Sequence, residues 1–274
     1  MKFLEKLGKE LLIFDGAMGT MLQQHGLKSG ELPENLNITS PKILLDIHKE
    51  YLKAGCDIVS TNTFGANGLK FSNVKEIVSA GVALARQAVV ENGNKGYVAL
   101  DLGPTGKLLE PFGDLPFEKA YSLYKEQVTA GVSAGADLIL IETMGDLYEV
   151  KAAVLASREN SSLPVLLSLM FDENGLMLTG SDIKTAVITA EALGVDAIGV
   201  NCGLGPRQML GLVPEILKYS SLPVFVQPNA GLPVCINGVT SYNVTPEEFA
   251  ANILTNMRWL ARMVPSIHRF NSRP

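Results

Sequence analysis

Along the chain, short runs of β-branched and aliphatic residues alternate with longer stretches in which apolar positions recur every three or four residues. The runs Leu11–Phe14, Asp57–Thr61, Tyr97–Leu102, Asp137–Ile141, Val165–Leu169, Ala197–Val200 and Val224–Val226 read as strands buried on both faces, the pattern of a parallel sheet. The stretches between them predict helices near Pro41–Ala54, Val74–Asn92, Phe117–Ala134, Leu147–Glu159, Asp182–Leu193, Pro206–Tyr219 and Pro246–Met263. Three of these helices feed the next strand through a Gly-x-Asp turn, at Gly55-Cys56-Asp57, Gly135-Ala136-Asp137 and Gly194-Val195-Asp196. Glycine there supplies the left-handed residue that ends a helix.

Seven βα units in series predict an α/β fold of the (β/α)8, TIM-barrel type. The competing doubly wound sheet is disfavoured, because no Gly-x-Gly-x-x-Gly follows the first strand. The expected barrel covers residues 1–263. The remaining Val264–Pro274 holds two prolines and two arginines in eleven residues, so the eighth strand is expected to be missing or irregular.

Composition narrows the class. Of 274 residues, 47% are apolar and 19% charged, enough to fill a large core. Against 28 acidic residues stand 23 basic ones with no basic run, so no nucleic-acid partner is expected. The longest apolar runs, such as Leu138–Ile141, are far too short to cross a membrane, and the start has no secretory apolar stretch. Three cysteines, Cys56, Cys202 and Cys235, do not make a disulfide framework. The expectation is a soluble, cytoplasmic protein.

In such a barrel the chemistry sits at the C-terminal ends of the strands. Those positions read Asp15-Gly16-Ala17-Met18-Gly19-Thr20, Thr61-Asn62-Thr63-Phe64-Gly65, Asp101-Leu102-Gly103-Pro104-Thr105-Gly106, Glu142-Thr143-Met144, Asn201-Cys202-Gly203-Leu204-Gly205-Pro206 and Gln227-Pro228-Asn229-Ala230-Gly231. Each admits a plain structural role. Asp15 suits a turn or helix cap, Glu142 an ion pair, Asn62, Asn201 and Asn229 the backbone of their loops, and Cys202 a small buried apolar site. Together they suit an amino acid. Asp15 and Glu142 match an ammonium group, the Gly16 and Ala17 backbone N–H groups match a carboxylate, and Cys202 offers a soft ligand or nucleophile. A Schiff-base aldolase would want a lysine on a strand end, and these ends offer none.

Six of these segments also resemble, in order, the motifs of the homocysteine S-methyltransferase family: Asp-Gly-Ala-Met-Gly-Thr at 15–20, Asn-Thr-Phe at 62–64, Gly-Pro-Thr-Gly at 103–106, Glu-Thr-Met at 142–144, Asn-Cys-Gly-x-Gly-Pro at 201–206 and Pro-Asn-Ala-Gly-x-Pro at 228–233. The likeness is greatest to the homocysteine-binding barrel of cobalamin-dependent methionine synthases and runs from about Leu11 to about Arg262. The resemblance implies a zinc ion held by three cysteines that activates the homocysteine thiol. It implies Asp15, Gly16, Ala17, Glu142 and Asn201 as substrate-binding residues, and Cys202, with Asn229, as metal ligands. The implied methyl donor is methylcobalamin or methyltetrahydrofolate, carried by cobalamin- and folate-binding modules or proteins.

The chain departs from that pattern at one place. The family's other two zinc cysteines are adjacent, in a Gly-Gly-Cys-Cys-Gly turn ending the eighth strand, and this sequence has no such turn. Cys235 falls in a loop and Cys56 precedes a strand at the opposite end of the barrel. A truncated or frameshifted gene, a cloning boundary and genuine decay all fit this pattern. The alternative function is therefore a catalytically silent module that at most binds a homocysteine-like amino acid.

Overall fold

The computed structural model describes residues 3–28, 30–231, 234–236, 239–241 and 244–263. The elements run α1 (Phe3–Lys6), α2 (Met18–Gln24), a 3-10 turn (Pro33–Asn35), α3 (Leu36–Thr39), α4 (Pro41–Ala54), β1 (Ile58–Ser60), α5 (Val74–Glu91), β2 (Tyr97–Leu102) and α6 (Phe117–Ser133). They continue with β3 (Leu138–Met144), α7 (Leu147–Asn160), β4 (Val165–Leu169), α8 (Ile183–Ala192), β5 (Ala197–Asn201), α9 (Pro206–Tyr219), β6 (Val224–Gln227), β7 (Val234–Ile236), β8 (Val239–Ser241) and α10 (Pro246–Met263). Strands β1 to β6 form one sheet in sequence order, the order of a barrel and not of a doubly wound sheet. The fold is α/β of the (β/α)8 type, with six such strands among the described residues. The expected tail, Val264–Pro274, lies outside the described residues.

The chain divides into two compact units, the first chiefly Leu11–Glu142 with Tyr148–Leu166, the second chiefly Thr143–Leu147 with the chain from Leu167 onward. In the first, β1, β2 and β3 pair in parallel and α4, α5 and α6 pack in succession. One sheet face carries Leu100, against which α6 comes so close that a Cβ on Gly131 would lie 2.4 Å from the Leu100 side chain. In the second unit β5 and β6 pair in parallel, and α9 packs on α8 and α10.

The Gly-x-Asp turns do what their spacing predicts. Gly55, Gly135 and Gly194 are all left-handed, with φ of 104°, 95° and 84°. The aspartates add a second function. Asp57 Oδ2 accepts from the Ile13 N–H at 2.9 Å, and Asp137 Oδ2 accepts from the Val98 N–H at 2.7 Å. Each thus caps the donor at the start of the preceding strand segment. Asp137 also pairs with Arg86 at 2.7 Å.

Two expectations are corrected. The predicted first strand, Leu11–Phe14, is reduced to a single parallel bridge between Phe14 and Ile58. The Asp57 carboxylate occupies the Ile13 donor that a ladder would use, and the Ile13 carbonyl is shared by the N–H groups of Asp57 and Ile58. Leu11 and Ile13 stay half-exposed. The loop after Pro-Asn-Ala-Gly-Leu-Pro, in turn, contains the antiparallel β7–β8 pair, with Cys235 opposite Thr240.

Candidate functional site

In the first unit Asp15 follows the Phe14 bridge directly, and its carboxylate hangs on the end of β1. Oδ2 accepts from the Ser60 N–H at 2.8 Å and Oδ1 from the Ser60 hydroxyl at 3.0 Å. Burial pushes the Asp15 carboxyl up to about 7, against the lowering effect of the Ser60 bonds and with a smaller contribution from Glu142. Glu142, near the end of β3, is likewise raised to about 7 by burial. Two partly buried acids therefore act on one another at one end of the strands.

The Gly16–Ala17 segment is tied down from below. The Tyr51 hydroxyl of α4 donates to the Ala17 carbonyl at 3.2 Å, and a Cβ on Gly16 would meet that hydroxyl at 2.8 Å. A side chain there would push the end of Tyr51 away. Ala17 is the N-cap of α2 and supplies no side-chain cap to the first N–H groups of that helix.

The neighbouring motifs of this unit hold the site's frame. Asn62 donates to Pro33 O at 2.8 Å and Asn37 Oδ1 at 2.9 Å, the loop-backbone role open to it from sequence. Gly103 lies under Phe64, whose ring a Cβ would meet at 2.5 Å, and its N–H donates to the Phe64 carbonyl. Thr105 gives both its N–H and its hydroxyl to Glu149 Oε1 at 2.7 Å, and Tyr124 adds a third donor at 3.0 Å.

The second unit places Asn201 at the end of β5, buried, with its side chain committed. Its Oδ1 accepts from the Thr143 N–H at 3.0 Å and the Ser168 hydroxyl at 2.8 Å, while its Nδ2 donates to Thr143 Oγ1 at 2.8 Å. Thr143 needs this clasp because it holds φ of 62°, a costly conformation for a β-branched residue. Cys202 follows at once, also left-handed at φ 57° and partly exposed, with a free thiol. Asn229 is partly buried, and its N–H donates to the Leu204 carbonyl at 3.1 Å. Gln227, paired in register with Asn201, has a buried Oε1 without a hydrogen-bond partner; sequence reading gave it no role. Among the described residues, no three His, Cys, Asp or Glu side chains gather as a metal site requires. The Cys235 side chain lies outside what the structure describes.

Comparison with known proteins adds three findings. A family model described as homocysteine S-methyltransferase matches residues 12–265. The methionine synthases of Mycobacterium leprae and Mycobacterium tuberculosis are each 36% identical over 267 residues, which cover 90% of this chain and 22% of each relative. The chain thus spans about a fifth of the length of those relatives. Among solved structures, the apo form of the homocysteine methyltransferase MmuM from Escherichia coli superposes with a TM-score of 0.69 at 26% identity, over 83% of this chain and 84% of that one. Its metallated form gives 0.74 at 23% identity, over 83% and 86%.

Proposed function

The chain belongs to the homocysteine S-methyltransferase family, and on that premise we propose that it binds homocysteine as a methyl acceptor and, in its active setting, passes a methyl group to the homocysteine sulfur to give methionine. The observation that carries this reading is the pair Asp15 and Glu142, two acids raised to about 7 by burial and lacking a cationic partner in the bonds described above. Such a pair is completed by an ammonium group. The Gly16–Ala17 segment and the uncapped start of α2 suit the α-carboxylate. Asn201, within the second unit, holds Thr143 at the end of β3 in place.

The family resemblance also implies zinc, with Cys202 and Asn229 as its ligands in this chain. One thiol and one amide do not make the three protein ligands of a catalytic zinc. The described residues therefore account for binding and orienting the acceptor, and not for activating its thiol. Methylcobalamin, supplied by a separate cobalamin-binding module or protein and recharged from methyltetrahydrofolate, is the proposed donor. In the transfer the donor's bond to the methyl carbon would break with its electron pair staying on the donor, the sulfur would gain the methyl group, and the thiol proton would go to solvent.

The absence of a three-ligand cluster among the described residues favours a second reading, a silent module that binds the amino acid only. Incubating the chain with L-homocysteine, zinc and methylcobalamin, and assaying methionine, separates the two. Methionine formed by the wild type and abolished by Cys202→Ala supports the enzyme. Binding of homocysteine without methionine supports the silent module.

A further inference from the structure

Asp101, near the end of β2, is 7% exposed, and its Oδ1 has no hydrogen-bond partner. Its main chain is fully used: the N–H donates to Thr61 Oγ1 at 3.0 Å and the carbonyl accepts from Thr63 Oγ1 at 2.7 Å. The side chain stands outside that network.

Sheet register places it. Ser60 pairs with Ala99, and Asp101 pairs with Leu140. Residues two apart on a strand share a face, and in-register partners point the same way. Ser60, Asp101 and Glu142 therefore lie on one face of β1, β2 and β3, opposite the Leu100 face that α6 covers. The Asp15 carboxylate, hung on Ser60, joins them. The charged groups acting on Asp101 are Glu142, Asp15 and Glu34, all acids.

A buried carboxyl in such company either holds a proton or meets a cation. We propose, resting on the amino-acid reading above, that Asp101 is a third acceptor for the substrate ammonium, and that the Asp15–Asp101–Glu142 cluster exchanges a proton for that ammonium when the substrate binds. The carboxyl O–H breaks, its proton goes to solvent, and an N–H of the ammonium takes its place; no electrons change hands. Burial and the neighbouring acids raise the Asp101 carboxyl well above the usual range, and with Asp15 and Glu142 raised to about 7 the empty cluster has a proton to give at neutral pH. The proton belongs to the cluster, and Asp101 is what enlarges it from a pair to a trio.

The test is calorimetric titration of L-homocysteine into wild type and Asp101→Asn at pH 7, in phosphate and in Tris, whose different ionisation heats count the protons released. The wild type should release more protons per homocysteine than Asp101→Asn, by at least about half a proton, since the variant keeps only the share of Asp15 and Glu142 and the thiol contribution is common to both. Equal release from the two proteins overturns the proposal. Binding without any release also overturns it, while leaving the amino-acid reading intact; no binding by either protein removes both. A second measurement needs no variant. In wild type carrying 13C-labelled aspartate carboxyls, one buried aspartate should be protonated at pH 7 and ionise when homocysteine is added. A spectrum with every aspartate already ionised beforehand contradicts the proposal.

Discussion

With pKa values of about 7, Asp15 and Glu142 sit at the middle of their titration at neutral pH, and this gives a signed expectation. Their ordinary values are 3.8 and 4.5, so between about pH 4 and 7 the folded protein binds more protons than the unfolded chain. The empty protein therefore loses stability as pH rises through that window. A bound ammonium favours the ionised carboxylates, so homocysteine should bind severalfold more tightly at pH 8 than at pH 6. Dissociation constants at the two pH values check this, and tighter binding at pH 6 would contradict it. His48 carries the opposite trend. It is fully buried on α4, neither ring nitrogen has a partner, and burial lowers its pKa to about 4. Stability from a neutral buried histidine is present above its ordinary value of 6.5 and is lost as pH falls through about 4. His48→Leu should remove about 2–3 kcal/mol of that loss at pH 4.5, read as a smaller drop in denaturant midpoint between pH 7 and 4.5 than in wild type. Asp15 and Glu142 were legible in the sequence because each follows an apolar run at a strand end. Asp101 was also among the strand-end positions, but nothing in the sequence assigned it a role, and only the register with β3 reveals which way it points.

The elements were legible where periodicity alone decides them. Tyr97–Leu102, Val165–Leu169, Pro41–Ala54 and Pro206–Tyr219 have the bounds their patterns predict. Leu11–Phe14 has the right composition for a strand, yet a side chain distant in sequence, Asp57, takes its donor. The β7–β8 pair was missed because strands of three residues carry almost no periodic signal. Nor does any pattern announce that Thr143 must be left-handed. That strain at the end of β3 depends on the Asn201 amide from the end of β5, so Asn201→Ala should leave the Thr143 N–H and the Ser168 hydroxyl without their acceptor. The expected cost is about 2–4 kcal/mol, measurable by urea unfolding; a loss under about 0.5 kcal/mol would show that the clasp is dispensable. Gly103→Ala should be comparably damaging, since its Cβ would enter the Phe64 ring. An unchanged melting temperature would refute that packing argument.

For the whole molecule, the family and the sequential parallel strands were readable from collinear motifs and from the βα rhythm. The chain spans only 22% of the length of its methionine synthase relatives. What the chain's own residues support is recognition of an amino-acid zwitterion, by carboxylates against its ammonium and a helix start against its carboxylate. Held by those groups alone, without an anchor for the thiol, homocysteine should bind with a dissociation constant of about 1 mM, about −4 kcal/mol. The most direct measurement is calorimetric titration of homocysteine into wild type and Glu142→Ala at pH 8. The account predicts measurable heat from the wild type and at least about tenfold weaker binding by Glu142→Ala, the loss of one charge-assisted contact. Equal heats from the two proteins, or none from either, would contradict it.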